Sequence, residues 1–192
     1  DPMTYNIVIK GAVRGSGTIR MGNELAINPG DVRTQLEGVP TKEPAFGLDA
    51  YWINPSQADF AKTAGYTIVD GATVIATHIN AILRDNASDL LGHDETREIL
   101  DKIAQRSPKL IDDLVPDKLS VSTIMQILKN ILFESIPIRD MNTIIDTLLL
   151  ESSRTQNSDE LTALVRPRLG RLMLQNLVPP GEELSVITLD PA

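Results

Sequence analysis

The feature that most constrains this chain is a change of apolar period along its length. From Ser120 onward the apolar residues keep a three-four spacing. Val121, Ile124, Ile127, Leu128, Ile131 and Leu132 form one stripe, and Met141, Ile144, Ile145, Leu148 and Leu149 form the next. At 3.6 residues per turn such spacing places all of these side chains on one face, so each segment must be an amphipathic helix that buries that face against another. The first third reads differently. Tyr5–Ile9 alternates apolar and polar residues with β-branched enrichment, and Thr18–Met21 follows Gly15-Ser16-Gly17, a pairing that predicts a hairpin turning at those glycines.

Further elements follow from turn chemistry. Leu25-Ala26-Ile27 predicts a strand stopped by Asn28-Pro29-Gly30, and residues 28–47 a long ordered loop. Ala50–Ile53 predicts a strand, and Ser56–Ala64 a short helix capped by Ser56 and closed by Gly65. Tyr66–Val69 predicts another strand. Asp70 caps a helix from Ala72 to about Leu91, with Ile75, Ile79 and Ile82 as its stripe and Gly92 as its terminating glycine. Beyond Gly92 the pattern is helical: Asp94–Ala104, Pro108–Leu114 behind Ser107, Ser120 onward, Asp140–Leu150, and Asp159–Met173, the last bent or broken near Pro167.

The fold class is therefore α+β: small mixed αβ N-terminal subdomains followed by an all-α helical subdomain. The expected division is 1–22 with 71–91 as one αβ subdomain, 23–70 as a second inserted into it, and 92–178 as the helical part. Residues 179–192 are then a linker and the first strand of a further domain, because Leu184–Leu189 alternates like a strand after Pro179-Pro180-Gly181 and a lone strand needs partners.

Composition bounds the chemistry. A net charge of -8 argues against sequence-independent nucleic-acid binding, which needs clustered Lys and Arg to neutralise phosphates. The chain has no cysteine, which removes thiolate metal sites and cysteine nucleophiles. No apolar run approaches the roughly 18 to 20 residues that span a bilayer. His78 and His93 have no partner at metal-ligand spacing, and the glycines of Gly11–Thr18 lack the Lys-Ser/Thr that completes a phosphate loop, so no cofactor and no metal is expected. Carboxylate pairs such as Asp112-Asp113 and Glu182-Glu183 lie in polar surroundings. A hydrolase would require convergent titratable groups that the pattern does not nominate, and no enzymatic activity is expected.

One loop stands out. In Glu43-Pro44-Ala45-Phe46-Gly47-Leu48 an aromatic sits between Pro and Gly in a chain with only 4% aromatics, so its placement is informative. Composition leaves two roles open for Phe46: a plug beneath the loop, or an exposed ring held by the turn. On the helix after Asp70, Thr77 points about 160° away from Ile75 at roughly 100° per residue and shares an outward face with Thr73 and Arg84.

These segments occur in an order that resembles the FlhA family of flagellar type III export gate proteins. The matching segments are Leu25–Gly30, Pro44–Leu48, Trp52-Ile53, Gly65–Asp70, Ala76-Thr77-His78, Leu90-Leu91-Gly92, Pro108–Leu110, Leu114–Pro116, Ile138–Met141, Leu161-Thr162, Val165-Arg166 and Leu169–Arg171. Injectisome export gates share much of this; Leu-Leu-Gly and Ile-Arg-Asp-Met are more flagellar. The resemblance implies a cytoplasmic docking module of a membrane protein at the bacterial inner membrane. It implies flagellar export chaperones with their substrates and components of the export ATPase complex as partners, and a nonameric homo-oligomeric ring in the intact protein. The piece itself is expected to be neither membrane-embedded nor stably oligomeric. It further implies that the family's chaperone-binding residues correspond to Glu43, Phe46 and Thr77. Glu43 stands where the family more often has Asp, which keeps the charge and adds a methylene. Pro167 also departs from the family pattern.

Overall fold

The computed structural model describes residues 2–177. They fall into two compact units, Asp1–Asp85 and Asn86–Ala192. Among the described residues the first carries all the β structure and the second is helical, so the class is α+β as the periods require. The segment Leu184–Leu189 lies outside the described residues.

The chain opens with an antiparallel hairpin of β1, Pro2–Ile9, and β2, Ala12–Arg20. Its turn is Lys10-Gly11, both at positive φ (49° and 81°), the conformation a tight two-residue hairpin loop demands. Gly15 and Gly17, expected to make this turn, instead lie within β2. The reason is close approach: a Cβ on Gly17 would sit 2.5 Å from the Tyr5 hydroxyl, and one on Gly15 would sit 2.9 Å from His78 Nε2. Glycine inside a strand commonly marks such an approach.

The second sheet runs β4-β5-β3-β6, all antiparallel. Its strands are β3 (Glu24–Ile27), β4 (Val39–Lys42), β5 (Asp49–Ile53) and β6 (Thr67–Asp70). Ala26 and Ile53 pack on one face with Leu36, Ala61 and Tyr66, while Leu25, Ala50 and Trp52 pack on the other with Val74. Burial on both faces explains why Leu25-Ala26-Ile27 is apolar without alternation. Strand β4 falls inside the expected loop 28–47. Pro40 hides it in sequence, since proline is excluded from central strands, but at the sheet edge its missing N–H is harmless.

The short helix α1, Ala58–Thr63, follows a 3-10 turn at Pro55–Gln57. The residue that caps this turn is Asn54, whose Oδ1 accepts the Ser56 N–H at 3.0 Å, and not Ser56 itself. Gly65, at φ 101°, ends the segment as expected.

Helix α2 spans Gly71–Asp85, with Asp70 Oδ1 accepting the Thr73 N–H at 2.7 Å. Its buried residues are Val74 and His78, an i,i+4 stripe that the partly buried Ile82 continues, whereas Ile79 is exposed. Apolar spacing alone selects Ile79, because it gives no weight to a histidine on the buried face. The helix does not run to Leu91. It stops before Asn86, α3 takes Ala87–Leu90, and Gly92 is extended at φ -110°, opening α4 (His93–Ala104) rather than closing its predecessor. Glu95 Oε2 accepts the Gly92 N–H at 2.9 Å, and a side chain at 92 would collide with that carboxylate.

The helical unit continues with α5 (Pro108–Asp112), α6 (Val121–Phe133), α7 (Met141–Glu151), α8 (Ser158–Arg168) and α9 (Gly170–Leu177). Two caps lie where the sequence places them: Ser120 Oγ accepts the Thr123 N–H at 3.0 Å, and Asp140 Oδ1 the Thr143 N–H at 3.1 Å, whereas Ser107, expected to cap α5, precedes it without a side-chain capping bond. Ile124, Ile127, Leu128 and Ile131 of α6 interlock with Ile144, Ile145 and Leu148 of α7 and Leu161 and Val165 of α8 in one core. Fully burying each such side chain contributes about 1.5–3 kcal/mol. The segment from Ser158 breaks just past Pro167: α8 ends at Arg168, and Leu169 N–H turns back to the Arg166 carbonyl at 3.1 Å. Pro167 cannot donate to the carbonyl one turn earlier, so the ladder is already open there. No helix among the described residues is long and apolar enough to cross a membrane.

Candidate functional site

The loop between β4 and β5 is built almost entirely by Glu43. Its N–H donates to the Leu48 carbonyl at 2.8 Å, and its own carbonyl accepts the Gly47 N–H at 2.9 Å, which closes the hairpin end. The side chain then folds back over the turn. Oε1 accepts the Ala45 N–H at 2.9 Å and Oε2 accepts the Phe46 N–H at 2.7 Å. Carboxylate-to-amide bonds are the stronger kind, and two of them on successive N–H groups fix the turn's shape. Pro44 fixes one φ, and Gly47 supplies the positive φ of 71° that a side chain would resist.

The outcome is a sharp division within the loop. Glu43 is 2% exposed and Phe46 is 68% exposed. Of the two roles open for Phe46, the structure has the ring held outward by the turn, with the half-exposed Leu48 nearby in sequence. An aromatic presented this way carries a large apolar area at little further ordering cost, the property of an interface anchor. Lys42 and Asp49 form an ion pair at 2.6 Å across the loop's base, but both are largely exposed, so the pair adds little.

Thr77 sits half-buried on α2, where the helical angle had placed it facing outward beside Thr73 and Arg84, both of which are exposed. No hydrogen bond joins Thr77 to Glu43 or Phe46 among the described residues. Its neighbour His78 is 4% exposed, and His78 Nδ1 is 2.9 Å from the Tyr5 hydroxyl, with the two rings edge to face at 5.7 Å. Burial raises the Tyr5 phenol above its ordinary 10.0, and the nearby negative charge of Glu43 adds to the effect. The loop's carboxylate is thus felt at the phenol that anchors the hairpin to α2. The structure brings Glu43 and Phe46 together directly.

Sequence reasoning missed what Glu43 does. A legible signal was present: an acidic residue ahead of Pro at the start of a turn is placed to accept the next free N–H groups, the same local bonding that makes Asp and Asn turn formers. Tyr5 was also missed as a partner of His78; it lies 73 residues away, and only the fold pairs them. Among the described residues no group of three or more His, Asp or Glu side chains is arranged to hold a metal ion.

The FHIPEP family matches residues 1–192. The flagellar biosynthesis protein FlhA of Salmonella typhimurium is 43% identical over 192 residues, which is 100% of this chain and 28% of that protein. The chain thus spans about a quarter of the length of the curated relatives it matches. Two solved structures share the fold. The Chlamydia pneumoniae CdsV protein has a TM-score of 0.83 at 21% identity, over 98% of this chain and 59% of that one. The nonameric SctV-C of EPEC has a TM-score of 0.66 at 22% identity, over 89% and 52%.

Proposed function

Because the chain belongs to the FHIPEP family, we propose that it is part of the cytoplasmic docking region of a flagellar type III protein export gate at the inner membrane, where it receives export chaperones loaded with their substrates. The observation that carries this reading is the division of labour in the 43–48 loop, where a buried carboxylate spends both oxygens on holding an aromatic ring in solvent. Phe46 is the contact. Glu43 acts through it as a positioning residue, and Thr77 supplies a polar contact on α2. No covalent step is involved, and hand-over follows from differential affinity between states of the gate and its clients. The intact protein works as a homo-oligomeric ring, a reading supported by the nonamer found for SctV-C, and it meets components of the export ATPase complex. The expected division, 1–22 with 71–91 around an inserted 23–70, is kept here as a reading for residues up to Asp85, in keeping with the two separately hydrogen-bonded sheets, while residues 86–91 fall in the second unit.

The test is titration of purified flagellar chaperone–substrate complexes against the chain and three variants. Phe46→Ala is expected to lower affinity at least about thirtyfold while leaving the melting temperature near the parent's, since truncating a hot-spot aromatic removes 2 kcal/mol or more of binding. Glu43→Gln keeps the size but weakens the two loop bonds, and should give a smaller loss together with broadened Phe46 resonances. Thr77→Ala should give the smallest. Normal binding by a Phe46→Ala protein would refute the docking role.

A further inference from the structure

The helical unit carries a second surface with a different chemistry. A cleft of about 450 Å³ opens between the end of α4, the turn into α5 and the start of α7. Its apolar lining is Ile99, Ile103 and Met141, all partly buried against the unit's core. Its charged lining is Lys102 and Arg106, four residues apart at the end of α4 and in the turn after it, and Arg139 from the segment before α7; all three are exposed and none is in an ion pair among the described residues. The one acidic residue in the lining, Asp140, is already engaged, its oxygens accepting from the Thr143 N–H at 3.1 Å and the Thr143 hydroxyl at 2.7 Å.

The cleft thus gathers three cations in a chain of net charge -8. Lys102 can be explained locally, since a cation in the last turn of α4 complements the helix dipole. Arg139 cannot, because it immediately precedes the cap of α7, where the dipole disfavours a cation. What distinguishes these three is their place: they surround an apolar floor.

We infer that this cleft binds an acidic peptide segment of a protein partner, with an apolar side chain seated on Ile99, Ile103 and Met141 and flanking carboxylates meeting Lys102, Arg106 and Arg139. Charge complementarity chooses the sign of the occupant. Exposure chooses its kind: small-molecule sites bury most of their ligand around convergent polar groups, whereas here the cations stand in solvent around an open floor, the arrangement of an apolar centre with a charged rim. The site is separate in sequence from the Phe46 loop and does not depend on the role proposed for it.

The probe is a synthetic peptide of alternating Glu and Leu, labelled for fluorescence anisotropy, titrated into the full chain, with its Gln-for-Glu counterpart as control. The expected result is saturable binding that weakens on raising salt, because exposed pairs are screened, and resonance shifts confined to residues 99–107 and 139–142. The K102E/R106E/R139E variant should bind at least about tenfold more weakly with its melting curve unchanged, and M141Q should weaken binding without altering the salt dependence. If the triple variant fails to fold, the single variants R106A and R139A carry the same comparison. Equal binding of the Gln peptide, indifference to charge reversal, or shifts centred on 43–48 would overturn the assignment. So would competition by free glutamate or inorganic phosphate at the peptide's own concentration, which marks a small-anion site, or charge-sensitive self-association without peptide binding, which marks a contact between copies. Phe46→Ala should leave probe binding intact, so failure here is distinguishable from failure of the docking loop.

Discussion

The two units of this chain reach order by different means. In the helical unit one continuous core joins α6, α7 and α8, and Ile127, Ile131, Ile144 and Leu148 are all wholly buried in it. In the first unit the apolar residues are split into two small clusters on opposite faces of one four-stranded sheet. What the clusters leave undetermined is fixed by single polar contacts: Tyr5 to His78, the Tyr66 hydroxyl donating to the Thr34 carbonyl at 2.7 Å, and Glu43 to its own loop. A large core tolerates surface variation but presents only what helix faces allow. A thin sheet with specified loops can hold an aromatic ring in solvent. The 43–48 loop belongs to the second kind of construction.

The comparison breaks first if the cores are equivalent. Ile127→Ala removes a wholly buried side chain whose surroundings are packed on every side, and is expected to destabilise by about 2–5 kcal/mol. Urea unfolding followed by far-ultraviolet circular dichroism, which the helices dominate, should show the shift. Trp52 lies in the sheet of the first unit and reports that unit by fluorescence. A markedly smaller shift in the fluorescence transition is expected, and coincident, equally shifted transitions would show the units to be one cooperative body instead.

A second substitution attacks the polar bookkeeping of the first unit. Gly15→Ala would place a methyl 2.9 Å from His78 Nε2 and 3.1 Å from Ile82 Cδ1. The His78 ring is buried and cannot swing aside without leaving Tyr5, so the strand must move, at an expected loss of about 1–3 kcal/mol in thermal melting. Gly11→Ala has open space around it and serves as a contrast in which only the positive φ opposes the change.

These contacts also mark where sequence reading stops. The helical unit was legible because its stripes repeat locally: the spacing in Val121–Leu132 needs no knowledge of what lies opposite. Ser120 and Asp140 were legible as caps for the same reason, and the break beside Pro167 follows from a missing N–H. Several of the first unit's errors involve long-range partners, while the cap at Asn54 rather than Ser56 is a local one. Gly15 and Gly17 look like turn residues until His78 and Tyr5 are known to lie against them, and Pro40 looks like loop until β4 is known to be an edge. In the candidate site Phe46 stood out by its neighbours, Pro44 and Gly47, which are local. Its exposure was not decided by them, because only the inward turn of the Glu43 carboxylate settles which way the loop faces.

The contact between β1 and α2 gives a smaller and sharper test. Tyr5→Phe keeps the edge-to-face ring contact but leaves His78 Nδ1 without its hydroxyl partner, and is expected to lower stability by about 1 kcal/mol. The wild-type protein should also weaken in alkali. Burial and the charge of Glu43 raise the folded-state phenol above 10.0, so stability held below pH 10 is lost as pH rises through the raised value. Tyr66, raised chiefly by burial, acts in the same direction. Melting curves between neutral pH and strong alkali should therefore converge for Tyr5→Phe and the parent, and parallel curves would show that the phenol's surroundings are alike in folded and unfolded chains.

The smallest expected effect concerns Asp70, the cap of α2, and it separates shape from charge. The Thr73 N–H and hydroxyl and the Ala72 N–H all favour its ionised form, led by the Thr73 N–H, and hold the carboxyl below its ordinary 3.8. A group depressed in the folded state contributes stability that is fully present above its unfolded value and disappears as pH falls through the folded one. The acid limb of the stability curve should then steepen below about pH 4 through this residue among others. Asp70→Asn retains an oxygen that can accept the Thr73 N–H but cannot titrate, so stability at neutral pH should change little while the acid limb flattens. Asp70→Ala removes both and should weaken the helix at every pH. If Asn and Ala behave alike at pH 7, the charge rather than the accepting oxygen holds the start of α2, and the first unit relies on electrostatics where the structure shows hydrogen-bond geometry.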